Sequence, residues 1–199
     1  MTQQAADVNG DGATAKGGAA AAPSVVNIAN GLTVLRLILV PVFVWFLLSG
    51  GAGSRSIAFL AFAVASVTDL LDGELARRRG LITDFGKIAD PIADKALTGA
   101  ALITLSSLGE LAWWVTVVIV VREVAVTCLR FWVIRRGVIA ASRGGKLKTL
   151  LQVIAISLYV LPGHFDLARE LVMGAAVVVT LVTGFDYVAR AIRLRRAVQ

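Results

Sequence analysis

The stretch DLLDGELARRRGLITDFGKIADPIADK, Asp69 to Lys95, sets two pairs of aspartates between the uncharged runs Ser56–Thr68 and Ala96–Gly109. Asp69 and Asp72 are three residues apart, and Asp90 and Asp94 are four apart. On helices, either spacing puts both carboxylates on one face. If the apolar runs continue into these segments, the end of one helix meets the start of the next across Arg78–Phe85, and four carboxylates converge at one boundary.

Working outward, the uncharged stretches are Leu37–Ser54, Ser56–Thr68, Ala96–Gly109, Leu111–Val121, Thr149–Phe165 and Leu171–Phe185. A membrane-spanning helix needs about 20 mostly apolar residues. The first stretch comes close alone; the others reach that length only if helix continues into their charged flanks, as Ser56–Arg79, Lys87–Gly109, Leu111–Arg136, Lys148–Pro162 and Ala168–Arg193. The reading predicts an all-α polytopic membrane protein with six transmembrane helices, the fifth short, and its active site at the cytoplasmic boundary.

Six spans leave both termini on one side. Arg77, Arg78, Arg79, Arg135, Arg136, Arg143, Lys146, Arg193, Arg195 and Arg196 then share that side, whereas the opposite loops, Gly50–Arg55, Ser106–Glu110 and Pro162–Glu170, carry only Arg55 and Arg169. Positive charge marks the cytoplasmic face, so both termini are expected in the cytoplasm.

Composition agrees. The 199 residues are 57% hydrophobic and 17% charged, with a mean hydropathy of +0.80. Soluble domains carry about 25% charged residues. Disorder, a disulfide scaffold and an ordinary cytosolic enzyme are excluded; the single cysteine, Cys128, matches no ligand spacing. Lys and Arg number 20 against 13 Asp and Glu, a net charge of +7, and the pI is about 10.3. No basic domain lies outside the apolar spans to grip a duplex, so the charge reads as loops facing anionic lipids and not as a nucleic-acid site. Met1–Ser24, rich in Ala and Gly, reads as a disordered cytoplasmic tail without the charged and apolar regions of a signal peptide; residues 25–199 then form one membrane domain. No internal repeat is visible.

Ionisable groups inside membrane helices are expensive and mark function by default. Four clustered carboxylates repel one another unless neutralised. Hard divalent cations that prefer oxygen, Mg²⁺ or Mn²⁺, would do so. Two ions would balance the charge, and two-metal carboxylate sites clamp phosphoryl groups in transfer. Gly73 and Ala76 leave almost no bulk on the face beside Asp72, so a ligand could lie against the backbone, and Arg77 offers a forked cation for phosphate oxygens. Glu74 and Asp84 read as solvated surface acids.

As a pattern the segment is D-x2-D-G-x2-A-R-x8-G-x3-D-x3-D, filled at Asp69, Asp72, Gly73, Ala76, Arg77, Gly86, Asp90 and Asp94. It resembles the signature of the CDP-alcohol phosphotransferases. That resemblance implies a six-helix membrane enzyme, commonly a homodimer, that displaces CMP from a CDP-linked lipid or alcohol with a second alcohol. It also implies that Asp69, Asp72 and Asp90 are metal ligands, that Asp94 is the general base on or near the second metal, and that Gly73, Ala76 and Arg77 line the CDP pocket. Asn30, Thr33 and Arg36 share one face at the start of the first helix; in this family Thr33 would touch the cytidine phosphate region. The alternative is capping by Asn30 and snorkelling by Arg36.

VREVAVTCLRFWVIRRGVIAASRGGKLKTLLQ, Val121 to Gln152, resembles the corresponding region of bacterial phosphatidylglycerophosphate synthases at Arg122-Glu123, Arg130, Ala140-Ala141-Ser142, Gly145-Lys146, Lys148-Thr149 and Gln152. The opening Asn27–Thr33, with Arg36 and Pro41, is also similar, although Ala29 stands where a proline is common. The resemblance implies transfer of a phosphatidyl group from CDP-diacylglycerol to glycerol 3-phosphate in a bacterial inner membrane. Arg122, Arg130, Ser142, Lys146 and Lys148 would hold the acceptor phosphate, with Glu123 orienting an arginine; the alternatives are positive-inside anchoring for Lys146 and Lys148, and pairing with Glu123 or a neighbouring helix for Arg122. The alternative is the same chemistry with inositol phosphate, serine or another alcohol as acceptor; charge alone leaves inositol phosphate open, whereas serine would bring an ammonium group into a cationic pocket. A cation transporter is a different class, disfavoured because the acids cluster at one boundary. Trp45, Trp113, Trp114 and Trp132 read as interfacial or packing aromatics, Asp186 and Arg190 as an ion pair, Pro162 as a helix stop, and His164 as noncatalytic.

Overall fold

The computed structural model describes residues 28–79, 84–133 and 143–197, with side chains over 31–69, 92–93, 95–129 and 145–193. All regular structure among them is helical, in six elements: α1 Ile28–Ser49, α2 Ala52–Arg79, α3 Asp84–Ser107, α4 Trp113–Val133, α5 Arg143–Val160 and α6 Asp166–Ala197. Every expected helix exists, and α2, α3, α5 and α6 begin two to five residues earlier than expected. The tail 1–24 lies outside the described residues.

The loop expected at Gly50–Arg55 is shorter than expected, because α1 stops at Ser49 and α2 already starts at Ala52. Gly50 and Gly51 make the turn with φ of 70° and 79°, a backbone region that residues with a Cβ rarely enter. Gly109, at φ 74°, likewise ends α3; past it Glu110 N–H returns to the Leu105 carbonyl at 3.0 Å, satisfying an orphan acceptor of the last turn. Two residues before Pro162, α5 ends at Val160.

α1 packs along α2 and α3, α5 along α6, and α6 against α4. Phe43 and Phe62 meet in the core with ring centroids 5.6 Å apart. Ala58, Ala61 and Ala65 form a buried stripe on α2 that permits close helix approach. Polar ties cross the interfaces: Ser106 to Thr116 at 2.7 Å joins α3 to α4, and Gln152 to Thr180 at 3.4 Å joins α5 to α6.

One end of the bundle is clamped by Arg55. Its guanidinium donates to both Glu110 carboxylate oxygens, at 2.7 and 2.6 Å, and to the Tyr159 and Val160 carbonyls at 2.9 and 3.4 Å. Arg169 lies 5.2 Å over the Tyr159 ring and pairs with Asp166. The start of α2, the α3–α4 turn and the end of α5 therefore share this end. α2 leaves the clamp and α3 arrives at it, so Arg79 and Asp84 mark the far end, toward which the signature aspartates lie. Arg55→Ala should lower stability by about 1 kcal/mol, since the fork is bidentate but partly exposed. A thermal melt in detergent should show that loss with catalysis unaltered.

The exterior is apolar. Leu60 and Val67 on α2, Trp45 on α1, Val121 on α4, Leu150 on α5 and Phe185 on α6 are all more than half exposed, the kind of apolar surface that marks contact with a membrane or another protein. Two helices among the described residues, Gly31–Ser49 and Asp166–Arg193, have the length and composition to cross a membrane. Trp45, Trp113 and Trp114 are exposed near the clamped end, as interfacial aromatics would be.

Candidate active site

α2 carries Asp69 and Asp72 on one unbroken helix, and α3 carries Asp90 and Asp94 on another. Of these side chains only Asp69 is described; those of Asp72, Gly73, Ala76, Arg77, Asp90 and Asp94 lie outside the described residues. No group of three or more potential metal-holding side chains occurs among the residues that are described. Asp69 pairs with Arg36 of α1 at 2.8 Å. Arg36 is fully buried, so snorkelling to the membrane edge is not its role; it fixes one signature carboxylate from the neighbouring helix. Thr33, one turn before it, is also buried. The Asn30 side chain is outside the described residues.

A second constellation gathers on Glu123 of α4. Lys95 of α3 donates to Oε2 at 2.8 Å. Lys148 of α5 and Arg122 of α4 both bind Oε1, the latter at 2.9 Å. Arg122 also donates to Thr183 of α6 at 2.9 Å, and its buried Nε has no hydrogen-bond partner among the described residues. Gly184 leaves room for its stem: a Cβ there would lie 3.2 Å from Arg122 Cγ. Beyond it, Ala125, Leu129, Leu181, Phe185 and Val188 line an apolar groove of about 360 Å³.

The two lysines of the acceptor set part company. Lys148 is buried, whereas Lys146, two residues away and on another face of α5, is exposed. The Arg130 side chain and Ser142 lie outside the described residues. Glu123 orients Arg122, as expected, and gathers two further cations. Lys95 escaped the sequence reading, although it directly follows the last signature aspartate; nothing in its own helix points to a glutamate 28 residues away.

The donor set suits hard divalent ions: the signature supplies carboxylate oxygens and no sulfur or imidazole, and the Asp69 carboxylate is held in place by a buried cation. The residues fit such ions.

Comparison with known proteins adds an independent line. The family model described as CDP-alcohol phosphatidyltransferase matches residues 26–182. A probable phosphatidylglycerophosphate synthase of Mycobacterium tuberculosis is 56% identical over 174 residues, covering 85% of this chain and 83% of the relative. A CDP-diacylglycerol–glycerol-3-phosphate 3-phosphatidyltransferase of Bacillus subtilis is 40% identical over 182 residues, with 82% and 94% covered. Its namesake in Escherichia coli is 39% identical over 137 residues, with 66% and 75% covered. With the aspartate signature complete on α2 and α3 and the family match spanning five of the six helices in full, the chain belongs to the CDP-alcohol phosphatidyltransferase family.

Proposed function

We propose that this enzyme transfers the phosphatidyl group of CDP-diacylglycerol to glycerol 3-phosphate, releasing phosphatidylglycerophosphate and CMP. The observation that carries the reading is similarity over more than four-fifths of the chain to relatives named for this reaction, with every signature position filled.

In the proposed mechanism Asp69, Asp72, Asp90 and Asp94 would hold two divalent ions, Mg²⁺ or Mn²⁺. When bound, these ions supply neutralising charge for the pyrophosphate and the departing CMP. Asn30, Thr33, Gly73, Ala76 and Arg77 receive the CDP moiety, and Arg122, Arg130, Ser142, Lys146 and Lys148 receive the acceptor phosphate. Asp94 takes the proton of the free primary hydroxyl of glycerol 3-phosphate. The oxygen then bonds to the phosphorus that bears the diacylglycerol, and the bond from that phosphorus to the CMP oxygen breaks.

The apolar exterior on all six helices supports a multi-pass protein in a bacterial inner membrane, formed by residues 25–199 as one domain. Arginine-rich ends support a cytoplasmic site and cytoplasmic termini. CDP-diacylglycerol reaches the site laterally from the bilayer, and glycerol 3-phosphate from the water. A homodimer is the assembly the family resemblance implies.

The test is CMP release by purified protein given CDP-diacylglycerol and Mg²⁺ or Mn²⁺, with glycerol 3-phosphate and inositol phosphate offered separately. Release with glycerol 3-phosphate alone is the expected result. Release only with inositol phosphate would overturn the acceptor assignment and keep the reaction type.

A further inference from the structure

Lys95, Arg122 and Lys148 contribute three positive charges to a node that contains one described carboxylate, Glu123. Their side chains are 31%, 14% and 8% exposed, and that of Glu123 is 15% exposed. Among the described side chains the node therefore carries a surplus of two positive charges largely withdrawn from water, where unbalanced charge is costly. The geometry is equally lopsided: Oε2 serves Lys95, while Oε1 is shared by Lys148 and Arg122. A carboxylate presents two oxygens to three cationic heads. A phosphate monoester presents three and, as a dianion, matches the surplus.

We propose that Lys95 is a further acceptor-phosphate cation and that Glu123 is the internal counter-ion that keeps Lys95, Arg122 and Lys148 gathered until a phosphate monoester joins them. This deepens, and rests on, the reading of the protein as a glycerol 3-phosphate-dependent transferase. Three helices meet at Glu123, so the cage is assembled from α3, α4 and α5, with α6 buttressing Arg122 through Thr183. Lys95 immediately follows Asp94 on α3, so the residue that would grip the acceptor's phosphate adjoins in sequence the one proposed to take its hydroxyl proton. An acceptor lacking the phosphate would leave the surplus uncompensated, and specificity for a phosphorylated alcohol follows.

The experiment compares wild type, Lys95→Gln and Lys95→Arg in CMP release, varying each substrate in turn. A charge-assisted contact to phosphate predicts a tenfold to hundredfold rise in KM for glycerol 3-phosphate in Lys95→Gln, as an order-of-magnitude figure. KM for CDP-diacylglycerol and kcat at saturating acceptor should stay within a few-fold, and Lys95→Arg should recover most of the loss. Inorganic phosphate, competing with glycerol 3-phosphate in wild type, should inhibit Lys95→Gln less strongly by a similar factor. A fall in kcat with unchanged KM would overturn the inference, as would equal rises in both KM values. If wild type releases CMP equally well with unphosphorylated glycerol, the acceptor reading itself fails and this inference fails with it. A wild type active only with glycerol 3-phosphate, beside an unaffected Lys95→Gln, overturns the inference alone.

Discussion

Asp94→Asn should reduce CMP release by roughly a hundredfold to ten-thousandfold, the range a positioned general base contributes, while CDP-diacylglycerol binding survives. The amide keeps the size and most of the hydrogen-bonding capacity of the carboxyl but cannot take the acceptor's proton at neutral pH. The neighbouring backbone should hold: Ala93 is fully buried and Lys95 is tied to Glu123 at 2.8 Å, so α3 is anchored on both sides of the substitution. Single-turnover assays with bound CDP-lipid would separate the two effects. Equal loss of lipid binding and turnover would overturn the assignment of Asp94 as base.

The second large effect is on stability. Glu123→Ala removes the only described carboxylate from a node of three cations, leaving Lys95, Arg122 and Lys148 to face one another. Breaking a buried ion pair by deleting one partner costs about 3–5 kcal/mol; Lys95 is the most exposed of the three and would relax toward solvent first. The expected outcome is a sharply lowered melting temperature or failure to accumulate in the membrane. Adding Lys148→Met to Glu123→Ala should recover part of the loss, because it withdraws the most deeply buried of the lysines. If Glu123→Ala melts like wild type, the node does not hold the helices together.

Local pattern carried much of the fold. Apolar runs and their charged flanks predicted six helices, and Asp186 with Arg190, four apart on one helix, pair at 2.9 Å as expected. The turn between α1 and α2 was legible too, since the loop expected at Gly50–Arg55 contains the Gly50-Gly51 dipeptide that makes it. What the sequence could not disclose is pairing between helices. Periodicity describes the faces of a single element, so Arg55 with Glu110, Arg36 with Asp69 and Lys95 with Glu123 had no local signature. Arg36 is the clearest instance: an arginine near a helix start is ordinarily an edge residue, and only the neighbouring α2 turns it into the buried partner of a signature aspartate. The aspartate pattern, by contrast, is written along the chain itself, and the family match over residues 26–182 includes it.

The interhelical ties also say where this protein can drift. In the lipid setting proposed here, apolar surface gains little by leaving one greasy solvent for another, so helix association leans on close packing and on polar links. The exposed valines, leucines and isoleucines of the exterior should be interchangeable over generations, each swap nearly silent. Ser106 with Thr116, Gln152 with Thr180 and the Arg55 fork occupy few positions, and a change at one of them strands its partner. Inheritance should thus be strict along a handful of seams and permissive across most of the outer wall.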